Sequence, residues 1–237
     1  VNLHVWRTAP VSLHPESLRA EIAARLDRAS SATTRRGSLR TCCVYIGPSA
    51  TFAGPDVASG MLSQWPGGTV RLARRPNAVS RSALKLEEAL SYFEVGNSFT
   101  GSEKPKALDL GASPGGWTQV LRQRGYEVTA VDPGSLAPAL KSDPLITHEA
   151  TTAGRFIRSS SDRFDLIVSD LRMSPERAVT TLLSARRLLR AGAGLVATLK
   201  TSRNPSPAAL HRLIDELAAA FDIHLARQLS HNRNEVT

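Results

Sequence analysis

A glycine-rich turn constrains the fold of this chain more than any other feature of its sequence. The segment "KALDLGASPGGWTQVL", residues 106–121, begins with an apolar run typical of a buried strand and ends with the apolar spacing of a helix. The six residues from Gly111 to Gly116 contain three glycines and a proline, which predicts a strand-to-helix turn. Such a turn exposes backbone amides to a ligand, but a tight turn between two packed elements has the same pattern.

The sequence around and after this turn predicts alternating strands and helices. Helices are predicted over 82–94, 116–124, 175–190 and 206–220. Strands are predicted over 106–111, 127–132, 145–149, 164–170, 194–200 and 223–230. This alternation predicts an α/β fold with a doubly wound, mainly parallel sheet.

The front of the chain predicts a smaller α/β unit. A strand near 2–6, a helix near 15–29 and a strand near 39–46 are followed by a stretch punctuated by glycine and proline, 47–77. We therefore predict two domains, residues 1–75 and residues 76–237.

The net charge of +9 is concentrated in the front third of the chain. Residues 1–82 contain eleven arginines or lysines against four acidic residues, whereas residues 83–237 contain nineteen against seventeen. The front excess is dominated by arginine, which suits bidentate contacts with phosphate. RNA binding by the front domain is the functional interpretation, and a solvated arginine-rich surface is the alternative.

Composition excludes several other classes of protein. The chain is 41% hydrophobic and 22% charged, and no apolar run approaches the roughly 18 residues of a membrane helix. With no apolar signal-peptide core at the N-terminus, these features predict a cytoplasmic protein without a membrane partner. Cys42 and Cys43 are adjacent in a predicted strand, and the six histidines show no ligand spacing, so no metal site is predicted.

Polar residues end three of the predicted strands, Asp132, Asp170 and Lys200. In a doubly wound sheet, ligands bind beyond the carboxyl ends of the strands, where the strand order reverses. Asp132 lies 21 residues after Gly111, an offset at which a carboxylate can accept hydrogen bonds from both ribose hydroxyls. Because the turn reads G-x-x-x-G-G and not G-x-G-x-x-G, the pattern favours S-adenosylmethionine (SAM) over NAD.

A set of charged residues suggests chemistry at this edge of the sheet. Lys200 and Asp170 end strands, Lys85 lies on the helix before the sheet, and Glu235 begins a final extended segment, "NEVT". The alternatives are that Lys85 pairs with Glu88 on its own helix and that Lys200 extends into solvent.

If the four groups converge, they can remove a proton from a poor acid such as a hydroxyl. Lys200 is the predicted base, for which its pKa has to fall from about 10.4 towards 7 through burial, a second ammonium and the sulfonium of SAM. Neither cysteine lies in this half of the chain, which argues against cysteine-dependent C5-pyrimidine methylation. The segment after Asp170, "LRMS", lacks the Pro-Pro-aromatic pattern of exocyclic-amine methyltransferases, so an oxygen nucleophile is favoured.

Six segments together carry a family resemblance. They are "SRSALKLEEA" (80–89), "DLGASPGGWT" (109–118), "VD" (131–132), "SD" (169–170), "LK" (199–200) and "HNRNEVT" (231–237). In this order they resemble the FtsJ-like RNA ribose 2′-O-methyltransferases. Within that family the chain is most similar to the bacterial RlmM-type enzymes, which modify a cytidine of large-subunit ribosomal RNA.

The resemblance implies a Rossmann-like SAM-binding sheet with an antiparallel last strand, and a specific set of site residues. It places a catalytic tetrad on Lys85, Asp170, Lys200 and Glu235, with Lys200 as the proton acceptor. It places SAM contacts on Ser82, Gly111, Ser113, Pro114, Gly115, Gly116, Trp117, Asp132 and Asp170, although Trp117 is equally interpretable as a core residue. The acidic residue that contacts adenine in the family falls on Thr152, so Thr152, Glu149 or a backbone carbonyl is expected there. The front region is shorter than the THUMP-type extension of RlmM-like proteins.

The resulting hypothesis is SAM-dependent 2′-O-methylation of RNA, with ribosomal RNA as the substrate. The alternative is an assembly factor that binds SAM and RNA without catalysis. An NAD-linked oxidoreductase is disfavoured by "GASPGG".

Overall fold

The structure is a computed structural model, and it describes residues 2–7, 15–29, 40–47, 49–57, 72, 76–92, 104–202, 206–232 and 234–237. The chain divides into two compact units, Val1–Arg71 and Leu72–Thr237. The candidate site residues predicted above all belong to the second unit.

The described residues of the first unit form a three-stranded sheet and one helix. Its elements are β1 (Asn2–Arg7), α1 (Pro15–Ala29), β2 (Arg40–Ile46) and β3 (Thr51–Val57). β2 is central, pairing in parallel with β1 and antiparallel with β3. β3 lies within the stretch 47–77 that is punctuated by glycine and proline, and its Pro55 lacks a backbone donor, a loss that an edge strand tolerates.

The second unit is built on a five-stranded sheet whose neighbouring strands are all parallel. Its strands are β4 (Lys106–Leu110), β5 (Glu127–Val131), β6 (Ile146–Glu149), β7 (Phe164–Ser169) and β8 (Leu189–Ala197). The spatial order β6-β5-β4-β7-β8 reverses direction between β4 and β7. The predicted doubly wound α/β fold is therefore confirmed, and the crevice expected for a ligand lies beyond the carboxyl ends of β4 and β7.

Helices cover the sheet on both faces. They are α2 (Ala83–Tyr92), α3 (Gly116–Gln123), α4 (Pro138–Lys141), α5 (Ala153–Ser159), α6 (Pro175–Ala185) and α7 (Pro207–Ala218). Ala107 belongs to the buried cluster that includes α2 and α3, whereas Leu108 and Leu110 belong to the cluster that includes α5. Because β4 is covered on both faces, its sequence is an apolar run with little polar alternation.

Two helices begin where the sequence predicts because they carry a strong start signal. Ser174 and Ser206 each accept a hydrogen bond from the backbone amide three residues later, and a proline occupies the first helical position. A serine N-cap followed by proline satisfies one exposed amide and preorganises the first turn.

The last part of the chain forms a separate two-stranded ladder. β9 (Leu199–Lys200) pairs antiparallel with β10 (Glu235–Val236), with Lys200 opposite Glu235 and Leu199 opposite Val236. The expectation of an antiparallel last strand is confirmed in this ladder.

The predicted helix over 175–190 is wrong at its end. α6 stops at Ala185, a 3-10 turn spans Arg186–Leu188, and β8 starts at Leu189, five residues before the strand predicted over 194–200. That strand is also divided, because β8 ends at Ala197 and β9 begins at Leu199. Arg190 Nη1 lies 2.7 Å from Oδ2 of Asp165 on β7, so a contact between distant segments stabilises the early start of β8.

The strand predicted over 223–230 is also wrong, because this segment has no regular secondary structure. The backbone of Arg227 exchanges two hydrogen bonds of 2.9 Å with Thr237, while Ile223 and Leu225 are exposed. The apolar alternation that predicted a strand is therefore present without a full ladder. The helices α4 and α5 were not predicted, since four and seven residues are too short to show a helical period.

Asp109 is a buried carboxyl in the middle of β4. Its side chain is 1% exposed, and the hydroxyl of Thr118 on α3 donates to Oδ2 at 2.7 Å. Burial raises the pKa of Asp109 to about 7, against the lowering effect of the Thr118 hydrogen bond. Because the folded pKa exceeds the unfolded one, this group stabilises the fold less as the pH rises from about 4 to about 7.

We expect Asp109→Asn to raise the melting temperature more at about pH 8 than at about pH 5, because the pKa of about 7 leaves the folded wild-type carboxyl neutral at pH 5 and ionised at pH 8. The free energy of unfolding that the wild type loses through this group between these two pH values is on the order of 3 kcal/mol. Thermal unfolding of both proteins at the two pH values measures it. An equal shift at both pH values would contradict the assignment of a raised pKa.

Candidate active site

Four charged side chains from four separate segments form a closed ring. Lys85 Nζ lies 2.5 Å from Glu235 Oε2 and 3.4 Å from Asp170 Oδ2. Lys200 Nζ lies 3.1 Å from Glu235 Oε1 and also donates to Asp170 Oδ1. Each lysine thus contacts both carboxylates, and the structure brings together the four residues that the sequence predicted to converge.

The topology explains why these residues meet. Asp170 directly follows β7, at the carboxyl edge where the strand order reverses. Lys200 and Glu235 are opposite each other in the β9–β10 ladder, and directly opposed residues of an antiparallel pair project to the same face. Lys85 is carried by α2, which is fixed to the core by Leu86 and Leu90.

The ring is largely shielded from solvent. The side chains of Lys85, Asp170 and Glu235 are 14%, 15% and 12% exposed, whereas that of Lys200 is 24% exposed. Lys200 is therefore the member with the most surface available to a substrate.

The two carboxylates dominate the electrostatics of Lys200. Burial lowers the pKa of Lys200, but the hydrogen bonds and charges of Asp170 and Glu235 together outweigh burial and hold that pKa above its ordinary value. Burial raises the pKa of Glu235, but hydrogen bonds from Lys85 and Lys200 outweigh it and hold that pKa below its ordinary value. In the ligand-free protein this lysine is therefore charged at neutral pH, whereas the lowering predicted from the sequence includes the sulfonium of SAM.

The structure also decides between the alternatives for the two lysines. Both ion pairs of Lys85 given above involve ring carboxylates, whereas Glu88 accepts hydrogen bonds from Ser230 and His231. Lys200 points into the ring and not into open solvent.

The glycine-rich turn lies directly beside the ring. Gly111 has φ of +86°, and a Cβ there would lie 3.1 Å from the Leu171 side chain and 3.4 Å from the carbonyl carbon of Asp170. Glycine is needed at this position for both its backbone conformation and its close approach. The turn and Asp170 therefore share one wall of the crevice. Within the turn, Ser113 and Pro114 reach the surface, whereas Gly115 and Gly116 are buried.

Ser82 packs against the start of α3 through Gly116. A Cβ at Gly116 would collide with the hydroxyl of Ser80 and lie 2.6 Å from that of Ser82. The indole Nε1 of Trp117 donates to the Ser82 carbonyl at 2.8 Å, and Trp117 is 3% exposed. The structure therefore places Trp117 in the core, where it anchors Ser82, and not on the surface of the crevice.

Asp132 follows β5 at the same carboxyl edge. The backbone amide of Gly134 donates to Oδ1 at 2.6 Å and that of Ser113 donates to Oδ2 at 3.2 Å. Each oxygen of the Asp132 carboxylate can accept a further hydrogen bond, and the residue is partly exposed. The structure thus orients this carboxylate through the glycine-rich turn itself.

Glu149 and Thr152 both lie near Asp132. Glu149 ends β6, and its carbonyl accepts from the Asp132 amide at 3.2 Å. Thr152 precedes α5 and is exposed, whereas Glu149 is partly buried. Both remain candidates for an adenine contact.

A family model described as FtsJ-like methyltransferase matches residues 78–214 of the chain. The chain belongs to the FtsJ-like methyltransferase family. The family resemblance predicted from the sequence is therefore confirmed, and the matched residues include Lys85, the glycine-rich turn, Asp170 and Lys200.

Two curated relatives carry the name ribosomal RNA large subunit methyltransferase M. The protein of Halorhodospira halophila is 39% identical over 190 residues, which cover 78% of this chain and 52% of the relative. The protein of Pseudomonas putida is 35% identical over 230 residues, which cover 90% of this chain and 61% of the relative. The chain thus spans between half and two thirds of the length of these relatives.

A solved structure supports the fold. A Streptococcus thermophilus protein described as a candidate hemolysin superposes with a TM-score of 0.52 at 21% identity, covering 80% of this chain and 72% of that one. This likeness concerns the fold alone.

Sequence reasoning missed the role of Glu88, which it considered only as a partner of Lys85. The available signal was its position between apolar residues of α2, because a carboxylate on an apolar face needs hydrogen-bond donors from elsewhere.

Within the described ranges, no group of three or more His, Cys, Asp or Glu residues could hold a metal ion. No helix in the described part of the chain has the length and apolar character needed to cross a membrane.

We expect Gly111→Ala to destabilise the protein more than Gly125→Ala does. The two glycines have similar positive φ, +86° and +90°, so both alanines carry a backbone strain of about 1–2 kcal/mol. A Cβ at Gly125 meets nothing within 4 Å, whereas at Gly111 it meets Asp170 and Leu171. Thermal unfolding should show a melting temperature several degrees lower for Gly111→Ala. Equal decreases in the melting temperature of the two variants would show that the close approach of Gly111 to Asp170 does not contribute to stability.

Proposed function

We propose that this chain transfers a methyl group from SAM to a ribose 2′-hydroxyl of RNA, with large-subunit ribosomal RNA as the substrate. The observation that carries the proposal is the ring of two lysines and two carboxylates beside the glycine-rich turn. The names of the two relatives support the substrate class. A ribosomal substrate agrees with the cytoplasmic location expected from the sequence.

The crevice residues fit SAM. Gly111 gives the turn its positive φ, and the oriented carboxylate of Asp132 can accept hydrogen bonds from ribose hydroxyls. Ser113 and Pro114 present the surface of the turn on the same side, and Ser82 is held against α3 nearby. When bound, SAM supplies an electrophilic methyl group on a positively charged sulfur.

Lys200 is the residue we assign to proton removal, because it is the most exposed member of the ring. Its neutral Nζ accepts the proton of the 2′-hydroxyl, which leaves the oxygen as the nucleophile. Asp170 and Glu235 fix the position of Nζ, and Lys85 balances their charge. Most of the rate enhancement then comes from positioning plus deprotonation.

The basic front region, residues 1–75, is assigned to holding the RNA backbone. Its excess of arginine supports this assignment through charge-assisted contacts with phosphate. The methyltransferase chemistry is assigned to residues 76–237.

Replacing the base tests this proposal most directly. We expect Lys200→Ala to lower methyl transfer by at least about 100-fold, while the Kd for SAM changes by less than about threefold. Transfer of labelled methyl groups to ribosomal RNA and calorimetric titration with SAM measure the two quantities. Lys106→Ala is the matched control, because Lys106 is exposed at the opposite, amino end of β4. Turnover that survives in Lys200→Ala would refute the role, and absence of turnover in the wild type would favour an assembly factor without catalysis.

The raised pKa of Lys200 predicts how the rate depends on pH. Below this pKa only a small fraction of Lys200 is neutral, and that fraction grows about tenfold for each pH unit. We expect kcat/KM for SAM, which reports ionisation of the free enzyme, to rise in the same proportion through the neutral and mildly alkaline range. A flat profile over that range, in protein that stays folded, would contradict proton removal by a charged resting Lys200.

A further inference from the structure

Glu88 is a buried carboxylate on α2 that the proposed chemistry does not use. Its side chain is 1% exposed, so it needs hydrogen-bond donors to offset the loss of water. Oε1 accepts from the Ser230 amide at 2.7 Å, and Oε2 accepts from the His231 amide at 3.0 Å. The imidazole Nδ1 of His231 lies 2.5 Å from Oε2. All three hydrogen-bond partners belong to two consecutive residues, Ser230 and His231, which lie more than 140 positions after Glu88 in the sequence.

Ser230 and His231 shortly precede, in the sequence, the strand that carries Glu235. Asn232 Nδ2 donates to the Thr237 hydroxyl at 2.9 Å and to the Glu235 carbonyl at 3.4 Å. In the segment from 229 to 237, hydrogen bonds of Asn232 therefore tie residues 229–232 to residues 234–237, and Glu88 connects the segment to α2. A displacement of Ser230 and His231 would move Glu235 with them.

The same helix carries a member of the ring. Lys85 and Glu88 are three residues apart, so they are neighbours on the surface of α2. Lys85 contacts the Glu235 carboxylate, and Glu88 contacts the backbone four and five residues before Glu235. One rigid element thus holds the segment at two points.

We propose that Glu88 is a positioning residue that sets the distance of Glu235 from Lys85 and Lys200. This inference rests on the proposed function, in which the ring acts as a unit. Glu88 itself acts through the segment from 229 to 237 and donates or accepts nothing within the ring.

A carboxylate is required at this position because it offers two acceptor oxygens to three donors. Glu88→Gln keeps the volume but replaces one acceptor with an amide group that donates. At least one of the amides of Ser230 and His231 then faces a donor, and the segment has to shift. A misplacement of about 1 Å at a catalytic site can cost about 100-fold in rate.

A double-mutant cycle tests the inference. We expect Glu88→Gln to lower kcat for methyl transfer by about 10- to 100-fold, and to add less than about threefold when Glu235→Gln is already present. Glu87→Gln, which removes the same charge from the adjacent residue of α2, is the control and should retain kcat. Multiplicative effects in the double variant, or an unchanged kcat in Glu88→Gln, would overturn the inference.

Hydrogen exchange provides a readout that needs no turnover. The Thr201 amide donates to the Asn234 carbonyl at 2.8 Å, and the Thr237 amide donates to the Arg227 carbonyl at 2.9 Å. Glu88→Gln should speed exchange at these two amides and leave β4 and β7 protected, whereas unchanged exchange would overturn the inference. A wild type that transfers no methyl group would refute the proposed function, and the exchange result would still decide the role of Glu88.

Discussion

The alternation of charge around the ring of Lys85, Asp170, Lys200 and Glu235 is the interaction on which the site depends. Two ammonium groups this close would repel each other strongly without the carboxylates between them. Each carboxylate is shared by both lysines, so no member can leave without exposing a like-charge pair. The ring therefore fixes the relative positions of four segments that are distant in sequence.

The same carboxylates that position Lys200 also oppose its proposed role as a base. Asp170 and Glu235 raise its pKa, and partial burial does not compensate for them. Positioning and basicity are thus in conflict in the ligand-free protein. A positive sulfonium bound beside Asp170 would favour the neutral form of Lys200, because a like charge disfavours the charged form. The cofactor would then contribute to activation of the base as well as the methyl group.

The sequence could predict the ring and the turn because strand ends carry positional information. Asp132 and Asp170 each follow a parallel strand, and parallel strands bring such ends to one edge, whereas Lys200 closes β9, which begins two residues after β8 ends. The start of β8, the irregular segment 223–230 and the partners of Glu88 could not be predicted in this way. Each of them depends on a contact between distant segments, such as Arg190 with Asp165, which local periodicity does not encode.

Glu235 is the member of the ring whose position is hardest to secure. Asp170 follows a six-residue interior strand, and Lys85 lies on a ten-residue helix. Lys200 and Glu235 both belong to strands of two residues, but Lys200 lies three residues after the end of β8. So short a ladder supplies few backbone hydrogen bonds, and the remaining restraints come from side chains such as Glu88 and Asn232. The sheet can therefore be complete before the ring is complete, because the ring also requires the last segment to dock on α2. Catalytic competence in this fold then depends on the local stability of that segment and not only on the stability of the sheet.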